Sequence, residues 1–78
     1  MMSHHYDVLL DVRHEDSPIP TIRAKEVLDG LAIGQILKVI TSKESTIKNI
    51  RTLIANNPFH LIEHSKNDEG FVFFIQKQ

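Results

Sequence analysis

Four residues, Ser17-Pro18-Ile19-Pro20, separate two different hydrophobic periods, and this switch constrains the fold more than any other feature of the chain. Before it, the segment from Tyr6 to Val12 places Val8, Leu10 and Val12 at every second position with Leu9 on the other side, which is the period of a half-buried strand. After it, Ala24, Val27, Leu28 and Leu31 form the narrow apolar stripe of an amphipathic helix. Proline has a preset φ and no N–H to leave unsatisfied, so it suits a first helical turn, and the helix is predicted from Pro18 to Leu31.

The remaining segments follow the same logic. Gly30 and Gly34 flank a short connection, and Gln35 to Ile40 is apolar on both faces, as expected of an inner strand. Thr41-Ser42-Lys43-Glu44 has the spacing of a capping box, in which the threonine and glutamate side chains satisfy opposite N–H groups of a helix start. The helix it opens is predicted from Glu44 to Asn56, burying Ile47, Ile50, Leu53 and Ile54 and ending at Asn57-Pro58. Phe59 to His64 and Phe71 to Ile75 are strand candidates, and the polar stretch from Ser65 to Gly70 suits a hairpin between them. The order β-α-β-α-β-β, with no repeat or linker, predicts an α+β fold. It is a two-layer α/β sandwich in which a four-stranded mixed sheet carries both helices on one face. All 78 residues are expected to form one domain, because a chain this short buries only about 60% of its unfolded surface and needs every element for its core.

Composition closes several routes. Cysteine is absent, so no disulfide, thiolate zinc site or thiol nucleophile is available. No apolar run approaches the roughly 18 residues of a membrane span. The start, Met1 to Tyr6, lacks the basic-then-apolar pattern of a secretory leader, so a cytoplasmic protein is expected. A formal charge of −1 supplies no field that would draw the chain onto phosphate backbones. Neither membrane nor nucleic acid is an expected partner.

The motifs in order resemble a known family. Leu10-Asp11-Val12-Arg13, Ser17-Pro18-Ile19-Pro20 and Arg23-Ala24-Lys25-Glu26-Val27-Leu28 resemble the TusA/SirA-like (YhhP-type) pattern Leu-Asp-x-Arg-Gly-Leu-x-Cys-Pro-x-Pro followed by a basic helical stretch. The match continues through Leu31-Ala32, Gly34-Gln35-Ile36-Leu37-Lys38-Val39 and Ile47-Lys48-Asn49-Ile50 to the final hairpin. The resemblance implies the same β-α-β-α-β-β sandwich. It also implies a carrier that takes persulfide sulfur onto a cysteine at the start of the first helix and hands it on. Its implied partners are sulfur-relay proteins: a cysteine desulfurase, a rhodanese-like or a DsrE-like protein. The implied motif surface is Asp11, Arg13, Ser17, Pro18, Pro20, Arg23 and Lys25.

Ser17 stands at the position the resemblance gives to the thiol, and a serine hydroxyl stays protonated and forms no sulfur–sulfur bond. His14-Glu15-Asp16 replaces the family's Gly-Leu-x, and Lys43-Glu44 replaces the Asp-Pro that opens its second helix. Glu15 and Asp16 are expected to satisfy the positive end of the helix dipole and to repel an incoming anion. Three functions are therefore weighed. The first is a non-catalytic binding or regulatory module linked to sulfur-relay proteins, neither an enzyme nor a holder of a cofactor. The second is a persulfide carrier whose native cysteine has been exchanged for Ser17, and the accompanying changes at His14, Glu15 and Asp16 speak against it. The third is a small nucleic-acid or ligand-binding module on the same fold.

Plainer roles are expected for the individual residues. Ser17 is expected as an N-cap accepting from the Ile19 N–H, since Pro18 and Pro20 have none. Of His4, His5, His14, His60 and His64, the last two are expected to share a strand face about 13 Å apart, too far for one metal. Arg23, Lys25, Lys48 and Arg51 are expected as solvated helix charges rather than a basic patch, with no aromatic between them. Adjacent Phe73 and Phe74 must point to opposite faces, leaving one toward the open side of the sheet as a candidate contact surface.

Overall fold

The structure is a computed structural model that describes residues 5–78. Its elements are β1 (Val8–Asp11), α1 (Ile19–Gly30), β2 (Ile36–Thr41), α2 (Glu44–Ala55), β3 (Phe59–Asn67) and β4 (Gly70–Lys77). The strands lie in the order β1-β2-β4-β3, with β1 parallel to β2 and β4 antiparallel to both of its neighbours. The last strand therefore fills the slot between β2 and β3, the two strands that α2 connects. Among the described residues no helix is long and apolar enough to cross a membrane.

Strand periodicity decides where the core sits. Leu10, Val12, Leu37, Val39, Phe73 and Ile75 share one face of the sheet and pack with Ala24 and Leu28 of α1 and Ile50 and Leu53 of α2. Both helices thus cover the same face. Full burial of such side chains stabilises by about 1.5–3 kcal/mol each. On the opposite face Ile40, Val72 and Phe74 form a second, smaller cluster flanked by Ile36 and Ile62. Phe74 is not the exposed aromatic expected for that side: it is 5% exposed, beside the Tyr6 ring at 6.4 Å and the Lys38 ammonium at 5.7 Å.

Both strands of the hairpin are longer than their apolar cores, because backbone pairing continues through polar residues as far as Asn67 and Gly70. Asn67 Oδ1 accepts from the Glu69 N–H at 2.8 Å, and Gly70 takes φ +128° where the chain passes against Thr41. A Cβ at Gly70 would lie 2.6 Å from the Thr41 carbonyl oxygen, so glycine is required by both conformation and space.

The helix ends differ from expectation. Thr41 belongs to β2, paired with Phe71 and buried, so it does not cap α2. Lys43 occupies the N-cap without a side-chain cap, and Thr41 Oγ1 accepts only a long 3.4 Å bond from the Lys43 N–H. The C-terminus of α1 has a partner that no local pattern announces. Lys77 Nζ, from the far end of β4, donates to the carbonyls of Leu28, Asp29 and Leu31 at 2.9, 3.1 and 3.1 Å. A cation at this end meets orphan carbonyls and the negative pole of the helix together.

Candidate functional site

The connection from β1 to α1 is held by short polar contacts. Asp11 grips Arg13 through the Arg13 N–H at 3.2 Å, Nε at 2.9 Å and Nη2 at 2.6 Å, and this guanidinium holds the carboxyl down to about 2. Ser42 Oγ donates to the Arg13 carbonyl at 2.7 Å, fastening this connection to the one between β2 and α2. Of the two carboxylates that follow, Glu15 pairs with Arg23 and Asp16 with Lys43 at 3.2 Å. They are neutralised by side chains rather than left to face the helix dipole, which corrects the expected local excess of negative charge.

Ser17 is exposed, precedes a cis peptide bond to Pro18, and stands one residue before the N-cap, which is Pro18. It does not cap α1: the Ile19 N–H goes to the Asp16 carbonyl at 3.0 Å and the Ile22 N–H to the Pro18 carbonyl at 3.1 Å. Backbone groups of the turn satisfy these donors, so the hydroxyl is released for another partner. That partner is Asn49 of α2, whose Nδ2 donates to Ser17 Oγ at 2.6 Å. Pro20 is buried beneath the first turn, while Pro18 is exposed. Beside them, Pro18, Thr21, Ile22, Asn49, Thr52 and Asn56 line a groove of about 350 Å³ between the helices. Ile19 and Ile22 are 46% and 49% exposed at the same end.

Comparison with known proteins agrees with this architecture. The family described as sulfurtransferase TusA matches residues 8–77. The chain belongs to the TusA family. A sulfur carrier protein TusA from Allochromatium vinosum is 29% identical over 72 residues, covering 92% of this chain and 95% of the relative. One from Pseudomonas aeruginosa is 27% identical over 77 residues, covering 99% and 98%. The crystal structure of a SirA-like protein from Desulfitobacterium hafniense superposes with a TM-score of 0.77 at 22% identity, covering 90% of this chain and 95% of that one, and so shares the fold.

Within this TusA-family chain, the candidate motif residues come together only in part. Asp11, Arg13, Ser17, Pro18, Pro20 and Arg23 gather where β1 passes into α1, whereas Lys25 turns to its own helix and binds Asp29 at 2.8 Å. Asn49 completes the site; the sequence shows it only within the matched stretch Ile47-Lys48-Asn49-Ile50, and no local pattern links it to Ser17, 32 residues away. The histidine reading is also corrected. A register shift between Leu61 and Glu63 inserts one residue into β3, so His60 opposes Gln76 and His64 opposes Phe73. One extra residue reverses the alternation, and the two rings face opposite sides of the sheet. Among the described residues no group of three or more His, Asp or Glu could hold a metal ion; His4 lies outside them.

Proposed function

We propose that this chain is a non-catalytic member of the sulfur-carrier family, acting as a binding or regulatory module for a sulfur-relay protein such as a cysteine desulfurase, a rhodanese-like or a DsrE-like protein. The observation behind this reading is the state of Ser17: no cysteine exists anywhere in the chain, and the Ser17 hydroxyl is engaged by the Asn49 amide. Persulfide transfer requires a thiolate to attack sulfur, and an alcohol whose pKa lies far above neutrality supplies neither the anion nor a sulfur–sulfur bond. What the site offers instead is a surface. Exposed Ile19 and Ile22 beside a groove lined by amide and hydroxyl side chains suit a protein contact with an apolar centre and a polar rim.

The carrier reading, with Ser17 in place of a native cysteine, draws support from the same geometry. The neighbouring carboxylates are paired, and an amide donor 2.6 Å from Oγ would stabilise a thiolate. Incubation with a cysteine desulfurase and labelled sulfur separates the two. The chain is expected to take no label, and stable label on it would overturn the non-catalytic reading. Ser17→Cys supplies the second arm: efficient loading would show that only the sulfur atom is missing and favour the carrier, and no loading would show that the site has lost more than the thiol.

A further inference from the structure

The other flank of α2 forms a second cleft, of about 390 Å³, against the β3–β4 hairpin. Its floor is built by cross-strand pairs: Lys66 stands opposite Phe71 and His64 opposite Phe73. The His64 ring stacks on Phe73 at 6.1 Å between centroids, and the Lys66 ammonium sits 5.4 Å from the Phe71 centroid. Ile47 and Arg51, one turn apart on α2, form the facing wall. The inserted residue in β3 creates this arrangement, because without it the His64 and Lys66 side chains would point to the opposite side of the sheet.

The charges here are unbalanced. No carboxylate lines the cleft, and among the described residues neither Arg51 nor Lys66 forms an ion pair with one, although the chain as a whole carries a charge of −1. Arg51 Nη2 lies 3.1 Å from His64 Nε2. Guanidinium only donates, so Nε2 is the acceptor and the imidazole proton is on Nδ1. His64 thus fixes the Arg51 head group at the rim and uses one of its five donors, leaving the planar fork able to meet a second acceptor.

We infer that this cleft binds a small planar organic anion, its flat body against Phe71 and the exposed His64 ring that covers Phe73, and its phosphate or carboxylate between Arg51 and Lys66. Two cations that form no ion pair among the described residues, beside a partly exposed phenyl ring and an exposed imidazole, attract an anion and reward a flat apolar group in the same step. The volume falls in the range of roughly 300–1,000 Å³ typical of small-molecule sites. The inference is independent of the role of Ser17, since Asn49 and Ile22 line the other groove and none of these cleft residues does.

The test is an NMR titration of the amide-labelled protein with phenyl phosphate, benzoate, inorganic phosphate and benzyl alcohol. Phenyl phosphate or benzoate is expected to give saturable shifts centred on Arg51, His64, Lys66, Phe71 and Phe73, and the tighter of the two identifies the head group. Inorganic phosphate and benzyl alcohol, each carrying half of the recognition, are expected to bind at least about tenfold more weakly. Arg51→Gln and Lys66→Gln remove exposed side chains and should each weaken binding about tenfold, as expected for losing a charge-assisted hydrogen bond. Three results would overturn the inference: no saturable shift at these residues with either aromatic anion, benzyl alcohol binding as tightly as phenyl phosphate, or an affinity unchanged in the variant that carries both Arg51→Gln and Lys66→Gln.

Discussion

At the Ser17 end of the molecule the carboxylates of the β1–α1 connection are each paired with a cation: Asp11 with Arg13, Glu15 with Arg23, Asp16 with Lys43. Across α2, in the hairpin cleft, Arg51 and Lys66 have aromatic and imidazole neighbours and no carboxylate among the described residues. The two regions share a wall, since Asn49 and Thr52 face the inter-helix groove while Ile47 and Arg51 face the hairpin. Counting basic residues along the helices therefore says little about where an anion would go. Pairing decides it, and pairing is set by which elements the fold brings together.

The largest expected effect tests whether the cleft floor is also core. Phe73 is almost wholly buried and carries the His64 ring, so Phe73→Ala should cost about 3–5 kcal/mol in urea unfolding. A loss below about 1 kcal/mol would mean that the hairpin packs on α2 only loosely.

Gly70→Ala probes the contact by which the hairpin turn meets Thr41, two residues from the Lys43 that pairs with Asp16. A Cβ against a backbone carbonyl, at a φ that L residues rarely adopt, should cost about 2 kcal/mol. If the two regions are linked through this turn, amide shifts at Ser42 and Lys43 will change along with those of the hairpin.

Thr46, in the first turn of α2, is buried with a hydroxyl that has no partner among the described residues. Thr46→Val should raise stability by about 1 kcal/mol, by removing a desolvated hydroxyl while keeping the shape. A loss of stability instead would point to a bound water at that oxygen.

The smallest effect sharpens the paired end. Arg13 holds the Asp11 carboxyl below its ordinary value of 3.8, down to about 2. A depressed carboxylate contributes stability that is present above pH 3.8 and is lost as the pH falls through about 2. Asp11→Asn should therefore be less stable than the parent near neutral pH by a fraction of a kcal/mol, as befits an exposed pair, with the gap closing between about pH 4 and pH 2. An equal gap at pH 2 and pH 6 would exclude the ion pair as its source.

Much of the framework could be read without the structure. Val8, Leu10 and Val12 reach the helix-covered face as their period requires, and Leu9 is left outside. Ala24 and Leu28 bury as a helical stripe, and Ile50 and Leu53 do the same on α2. The candidate site was legible only in its contiguous half, where Asp11, Arg13, Ser17 and the prolines follow one another along the chain. Its other half, Asn49, comes from a different helix. The cap assignments failed for a related reason: Ser17 and Thr41 have the right residue types for capping, but backbone groups of the turn satisfy the donors near Ser17, and β2 ends one residue later than expected and takes Thr41 into the sheet. The inserted residue in β3 was hidden altogether, because one extra residue between Leu61 and Glu63 leaves no compositional trace.

The sequence by itself determined the order of elements, the side of β1 that enters the core, and the absence of thiol chemistry. These follow from local periodicity and from the inventory of atoms, neither of which depends on distant contacts. Only the tertiary structure decided that Asn49 holds Ser17, that Lys77 closes α1, that the carboxylates beside Ser17 are neutralised, and that His64 and Lys66 turn toward Arg51. Each of those depends on strand order and on a single-residue register shift, and a register is settled by the free energy of the whole packed sheet rather than by the residues that happen to meet across it.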